Sequence, residues 1–83
     1  MIKKARKTAS LILLNDDVNS FNEVMEALQD VIGMNQFQAE QCAILVHSKG
    51  ECVIQKSDIR KINMLADVLV HDYGLNIMVD HSK

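Results

Sequence analysis

The sequence predicts an α+β domain in which three helices pack on one face of a small three-stranded antiparallel sheet, in the chain order βααβαβ. Short apolar runs at three places fit buried strands, and the stretches between them carry helix start and stop signals. The chain has 83 residues, of which 48% are hydrophobic, so it is long enough for one hydrophobic core and too short for two. We therefore expect a single sandwich-like domain.

An acidic turn separates the first strand from the first helix. Leu11 to Leu14 is a short apolar run that fits a buried strand, and it ends at Asn15-Asp16-Asp17, residue types that favour turns. Ser20 followed by Glu23 fits a capping box, and Gly33 is a typical helix stop. A helix is therefore expected between Ser20 and Gly33.

A second helix and a second strand occupy the middle of the chain. Asn35 with Gln38 is another helix start signal, and the helix that it predicts ends at Ser48-Lys49-Gly50. Cys52 to Ile54 is a short apolar run that fits a strand. The first two helices are thus expected to form a helix-turn-helix pair that leads into this strand.

The last third of the chain predicts one helix and one strand. Ser57 is a good N-cap for the helix, Gly74 closes it, and Leu75 to Val79 alternates in the manner of a strand. The apolar side chains of the helix form one stripe, which consists of Ile59, Ile62, Leu65, Ala66, Leu69 and Tyr73. This stripe is expected to pack against the sheet.

Charge is distributed unevenly along the chain. Four of the nine basic residues lie in the first seven positions, so residues 8–83 carry five basic against eleven acidic groups, a net charge of −6. We expect a flexible basic tail over residues 1–8 and a folded domain over residues 9–83. An acidic domain disfavours nucleic acid as a partner, because phosphate contacts need clustered lysine and arginine on the folded surface.

No membrane or export signal is expected. The longest apolar run, Cys42 to Val46, has five residues, whereas a membrane span needs roughly 20. The four-residue run Leu11 to Leu14, which follows the basic start, is too short for the core of a signal peptide. Two cysteines, Cys42 and Cys52, are too few for a disulfide framework, and both lie within apolar patterns. We expect reduced cysteines in the core of a cytoplasmic protein.

Two segments are unusual for a purely structural domain, Asn15-Asp16-Asp17-Val18-Asn19 and Val46-His47-Ser48-Lys49-Gly50. Taken by itself, the first fits a turn with capping side chains. A hydrolase or metal site could also use Asp16, Asp17 and His47, because two carboxylates with a histidine can exchange protons or hold a divalent ion. The sequence has no evident nucleophile, oxyanion-hole motif or third strong metal ligand. We therefore expect no enzyme, no cofactor and no bound metal.

Both segments together resemble the ClpS family, the adaptors that bring N-degron substrates to the bacterial Clp protease. The resemblance rests on Leu13-Leu14-Asn15-Asp16-Asp17, on the helix with Phe21, Val24 and Leu28, and on Val46-His47-x-x-Gly50, in the same order and spacing. It covers about residues 9 to 79. It implies a monomeric binding module that captures proteins beginning with Phe, Leu, Tyr or Trp, with a ClpA-type AAA+ unfoldase as partner.

The resemblance also implies roles for individual residues. An α-ammonium group offers three donors and no acceptor, so its site must be rich in acceptors. The residues implied for amine binding are Asn15, Asp16, Asp17 and His47, with Asp16 shaping the turn. The hydrophobic pocket maps onto Leu13, Asn19, Phe21, Val24, Ala43 and Val46. Protease docking maps onto Glu51, Lys56, Asp58 and Lys61, near the start of the last helix.

The chain departs from the family pattern around the pocket. Asn19-Ser20-Phe21 replaces the common Thr-Pro-Met, Ala43 replaces a second methionine, and Gly74-Leu75-Asn76 replaces His-Pro-Leu. A phenyl ring would then gate the pocket, and the alanine would deepen it. The two changes either compensate or shift preference towards bulkier aromatic side chains, and both readings stay open.

The sequence is also compatible with a second function. A protein-interaction domain could keep the same framework and bind another partner without N-degron recognition, as the similarly folded C-terminal domain of the ribosomal stalk protein does. The two functions differ in whether binding depends on a free amino group.

Overall fold

The computed structural model describes residues 7–81, which form an α+β domain with three helices and one antiparallel sheet. In chain order the elements are β1 (Thr8–Leu14), α1 (Phe21–Ala27), a π-helical segment (Leu28–Ile32), α2 (Gln36–Lys49), β2 (Glu51–Asp58), α3 (Ile59–His71) and β3 (Asn76–His81). The order and fold class agree with the prediction. Residues 1–6 of the expected basic tail lie outside the described residues, and Thr8 belongs to β1.

The sheet has the strand order β2-β1-β3, with the first strand in the centre. Ala9, Leu11 and Leu13 alternate along β1 and belong to the core cluster beneath the helices. Ile12 faces the opposite way, between its cross-strand neighbours Val53 and Met78, which are 57% and 41% exposed. The helices therefore pack on one face of the sheet, as predicted.

Local start signals predict the first two helices well. Ser20 and Glu23 form the expected capping box, with Ser20 N to Glu23 Oε1 at 2.7 Å and Glu23 N to Ser20 Oγ at 3.1 Å. Asn35 and Gln38 form a second one, with distances of 3.0 and 2.8 Å between the corresponding atoms. The first helix nevertheless changes after Ala27 into the π-helical segment, and no signal in the sequence indicates this wider turn.

The second strand and the third helix begin and end differently from the prediction. β2 continues to Asp58 instead of ending at Ile54, because Ser57 and Asp58 pair with Ala9 and Thr8 of β1. The N-cap of α3 is therefore Asp58 and not Ser57, and the Asp58 carboxylate accepts a hydrogen bond from Arg60 N at 2.9 Å. Pairing with a strand that is distant along the chain decides this boundary, so the local sequence does not predict it.

Tyr73 joins the turn after α3 to the π-helical segment and should titrate at an elevated pH. Its hydroxyl donates to Asp30 Oδ2 at 3.4 Å. Desolvation of the phenol, followed by the carboxylates of Asp30, Glu26 and Asp72, raises the pKa of Tyr73. The fold thus favours the protonated phenol. The protonated Tyr73 stabilises the folded state at neutral pH, and this stabilisation is lost as the pH rises through the raised pKa.

This elevation can be measured directly, because Tyr73 is the only tyrosine and the chain has no tryptophan. An absorbance titration at a wavelength specific for phenolate should give a midpoint above the ordinary value of about 10. Asp30→Asn should lower that midpoint, since it removes the nearest carboxylate. A midpoint at the ordinary value in the unsubstituted protein would contradict the interaction.

Candidate functional site

A cavity of about 360 Å³ lies between the turn after β1, the first turn of α1 and the C-terminal half of α2. Its lining is Leu14, Asn15, Asp16, Asp17, Asn19, Phe21, Val24, Ala43, Val46 and His47. Polar side chains from the turn and from the end of α2 meet an apolar wall from the two helices. Nine of the ten residues predicted for amine binding and the pocket therefore line a single cavity.

One backbone hydrogen bond brings the two halves of the site together. Asn15 N donates to Gly50 O at 3.0 Å, which ties the acidic turn to the end of α2. Gly50 has the left-handed φ of 93° that ends the helix, and its N–H donates to Val46 O at 2.8 Å. The last turn of α2, with His47, is thereby held beside the acidic turn.

Asp16 shapes the acidic turn through its own carboxylate. Asp16 Oδ1 accepts from Val18 N and from Asn19 N, both at 2.8 Å, and Asp16 Oδ2 accepts from Asn19 Nδ2 at 3.1 Å. Desolvation raises the pKa of Asp16, but the combined hydrogen bonds from Asn19, Val18 and Asn76 outweigh it and lower the pKa. The carboxylate is therefore ionised at neutral pH and already engaged within the protein.

The segment before β3 supports the turn from a third direction. Asn19 Nδ2 also donates to Gly74 O at 2.8 Å, and Asn76 Nδ2 donates to Asn15 O at 3.4 Å. Gly74 and Asn76 belong to the segment that departs from the family pattern. The sequence does not predict their role in positioning the turn, because a backbone carbonyl and an amide that is distant along the chain leave no local signal.

Three acceptor-bearing side chains in the cavity remain unengaged. Asn15, Asp17 and His47 all line it, and none of their side chains has a hydrogen bond or ion pair with another residue in the described range 7–81. Together they offer a carboxamide oxygen, a carboxylate and a ring nitrogen. Such a group of acceptors is suited to a compact cation with several donors.

The apolar wall is formed mainly by Leu14, Phe21, Val24, Ala43 and Val46. Leu13, which was predicted for the pocket, does not line the cavity: it is 1% exposed and lies in the core cluster with Leu11. Side chains alternate along a strand, so Leu13 points with Leu11 beneath the helices. Leu14 lines the cavity instead. Counting the alternation of side chains forward from Leu11 predicts that Leu13 is buried with Leu11.

The residues predicted for protease docking do not form one group. Asp58 and Lys61 lie at the start of α3, and Lys56 lies two residues earlier in β2. Glu51 begins β2, so it is roughly 23 Å from Asp58 at a rise of about 3.3 Å per residue. Asp58 is also bonded to Arg60, with its carboxylate 3.4 Å from Arg60 Nε.

Two further observations on the described residues concern a metal site and a membrane-spanning helix. Within residues 7–81, no group of three His, Cys, Asp or Glu side chains is arranged to hold a metal ion. No helix in the same range is long and apolar enough to cross a membrane.

Comparison with known proteins gives a family and a fold. The family described as "ATP-dependent Clp protease adaptor protein ClpS" matches residues 4–77. The solved structure of Agrobacterium tumefaciens ClpS2 bound to L-phenylalaninamide is similar with a TM-score of 0.87 and 19% sequence identity, over 94% of this chain and 100% of that one. At this identity the structural match shows the fold. No curated protein matches the chain.

Proposed function

Because the chain belongs to the ClpS family of adaptor proteins, we propose that it binds proteins with a bulky hydrophobic first residue through their free α-amino group. The expected first residues are Phe, Leu, Tyr and Trp. The observation that carries this proposal is the group of three unengaged acceptors, Asn15, Asp17 and His47, beside an apolar wall in one cavity.

The acceptors suit the α-ammonium group of a peptide. That group is largely protonated at neutral pH, since its pKa is about 7.7 to 8.0, and it carries three donors. Each donor can meet one acceptor, from Asn15, Asp17 or His47, and the Asp17 carboxylate also compensates the positive charge. Acetylation removes the charge and two of the donors, so a blocked amine should not bind.

The apolar wall suits the adjacent side chain. Burying about 150 to 250 Å² of an aromatic side chain at roughly 25 cal/mol/Å² contributes about 4 to 6 kcal/mol before the costs of association. The cavity volume of about 360 Å³ has room for a side chain of this size. The similar Agrobacterium protein was solved with L-phenylalaninamide, which has a free amine and an aromatic side chain, and this supports the same ligand class here.

A peptide array tests this proposal. Each peptide carries a free amino terminus and differs only in its first residue. We expect binding to peptides that begin with Phe, Tyr, Trp or Leu, and little or none to those that begin with Gly, Asp, Lys or the β-branched Val. Binding that does not depend on the first residue would contradict the proposal and favour a different interaction partner.

Ala43 should set the size preference of the cavity. It lies on the cavity wall and is buried, so Ala43→Met would fill part of the space. We expect this change to weaken binding of a Trp-initiated peptide at least about fivefold relative to a Leu-initiated one, because overpacking typically costs about 1 to 3 kcal/mol. Gln36→Met, at an exposed position of α2 outside the cavity, is the matched control. An unchanged Trp-to-Leu ratio would show that Ala43 does not limit the ligand.

We further propose that the chain acts as a non-catalytic monomer in the cytoplasm and delivers its cargo to a ClpA-type AAA+ unfoldase. The surface around Lys56, Asp58 and Lys61 is the proposed docking site, since it lies away from the cavity residues. Degradation of a Phe-initiated fluorescent protein by the reconstituted protease should require the chain. Lys56→Glu with Lys61→Glu should reduce degradation and leave peptide affinity unchanged; equal degradation would place docking elsewhere.

A further inference from the structure

A second cavity, of about 540 Å³, lies on another side of α2 and shares no lining residue with the first. The end of the π-helical segment, α2 and β2 line this open cavity, and its apolar lining includes Ile32, Phe37, Leu45 and Ile54. Both cysteines of the chain, Cys42 and Cys52, open into this cavity. The candidate binding site makes no use of either of them.

The two thiols are neighbours across the α2–β2 contact. Cys42 lies on α2 within the core cluster, and Cys52, the second residue of β2, is half-buried and packs against that cluster. Desolvation of the Cys42 thiol, together with the neighbouring Cys52 thiol, raises the pKa of Cys42. Cys52 Sγ also approaches Val53 O at 3.6 Å. Both cysteines are reduced in this structure.

We propose that Cys42 and Cys52 are a modification site, which forms an intramolecular disulfide on reaction with a low-molecular-weight disulfide. The second cavity provides the route by which a small reagent reaches the thiols. The bond would link α2 to β2 and close a short loop around Gly50, the residue that ties α2 to the acidic turn.

The exchange follows from the unequal exposure of the two thiols. The Cys52 thiolate attacks one sulfur of the reagent RSSR, the S–S bond breaks, and RS⁻ leaves and takes up a proton. Cys42 Sγ then attacks the Cys52 sulfur of the mixed disulfide while its proton passes to the departing RS⁻, so that a second RSH leaves. The protein loses two protons and two electrons, and the reagent is reduced to two thiols.

The proposed bond has a direct connection to the candidate site, and this step rests on the proposed function. A disulfide holds its sulfurs about 2.05 Å apart, which is much closer than two unbonded thiols can approach. Cys42 immediately precedes Ala43 and lies one turn before Val46, both on the cavity wall. Cys52 pairs with Leu13, next to Leu14. Drawing the sulfurs together therefore moves one wall of the cavity relative to another.

Mass spectrometry of the full chain tests the modification. After incubation with glutathione disulfide, we expect the intact protein to lose two hydrogen atoms, and digestion without reductant to give a peptide that links Cys42 to Cys52. Cys42→Ser should instead retain a mixed disulfide at Cys52, and Cys52→Ser should stay largely unmodified because Cys42 is buried. A stable mixed disulfide in the unsubstituted chain, or no modification at all, would overturn the proposal.

Peptide binding tests the connection to the site. The oxidised chain should bind a Phe-initiated peptide at least about fivefold more weakly than the reduced chain, at the low end of the usual coupling between sites. Adding dithiothreitol should restore the affinity. Equal affinities with the bond formed would overturn the connection. If the reduced chain binds no peptide, the proposed function fails, and the mass measurement still decides whether the disulfide forms.

Discussion

Asp17→Asn is expected to weaken binding of a Phe-initiated peptide by roughly tenfold or more, the equivalent of at least about 1.4 kcal/mol. The change keeps the shape of the side chain and one acceptor oxygen but removes its negative charge. Asp17 has no partner among the described residues, so its charge is available to an ammonium group in the cavity. Fluorescence anisotropy with a labelled peptide measures the loss.

Asp67→Asn is the matched control for this change. Asp67 is an exposed carboxylate on α3 whose Oδ1 lies 3.1 Å from His71 Nε2, and it does not line the cavity. Both substitutions alter the net charge equally, but only Asp17→Asn should reduce the affinity. An equal loss in the two variants would show that the peptide responds to the overall charge of the domain. No loss in Asp17→Asn would remove Asp17 from the site.

Leu11→Ala should lower the free energy of unfolding by about 2 to 5 kcal/mol. Leu11 lies in the central strand β1, is 0% exposed and belongs to the core cluster beneath the helices. The change removes buried methyl groups and leaves a cavity that a three-stranded sheet cannot easily close. A domain of this size has a total stability near the low end of about 5 to 15 kcal/mol, so the loss is a large share of it.

Leu45→Ala deletes the same atoms at a position that is 41% exposed on α2. Its cost should be about 1 kcal/mol or less, because part of the side chain already contacts water. Urea unfolding followed by circular dichroism gives both values. Similar losses in the two variants would contradict the assignment of the core to the helix-covered face of the sheet.

Features of the fold that depend on neighbouring residues could be predicted from the sequence. The capping boxes at Ser20 and Asn35 each join two residues that are three positions apart, and both form as expected. The end of β2 and the N-cap of α3 could not be predicted, because Ser57 and Asp58 are both good caps and only pairing with β1 chooses between them. The π-helical segment likewise depends on packing and not on a local signal.

The candidate site was predictable to a similar extent. The family resemblance pointed to both the acidic turn and His47. In the fold both line one cavity, and the backbone hydrogen bond between Asn15 and Gly50 holds them together. The sequence could not show that Asp16 is engaged while Asp17 is not, since that depends on the turn geometry. Leu14 lines the cavity in place of Leu13 because of the orientation of the strand. The hydrogen bond from Asn19 to Gly74 depends on a segment that is distant along the chain.

The central claim is that the cavity recognises a free amino terminus together with the first side chain. Isothermal titration calorimetry with one Phe-initiated peptide and its N-acetylated twin tests it most directly, because the two ligands differ only at the amine. We expect a micromolar dissociation constant for the free peptide, which corresponds to a binding free energy of about −8 kcal/mol. We expect no measurable binding of the acetylated peptide. Equal affinity for the two peptides would contradict the account.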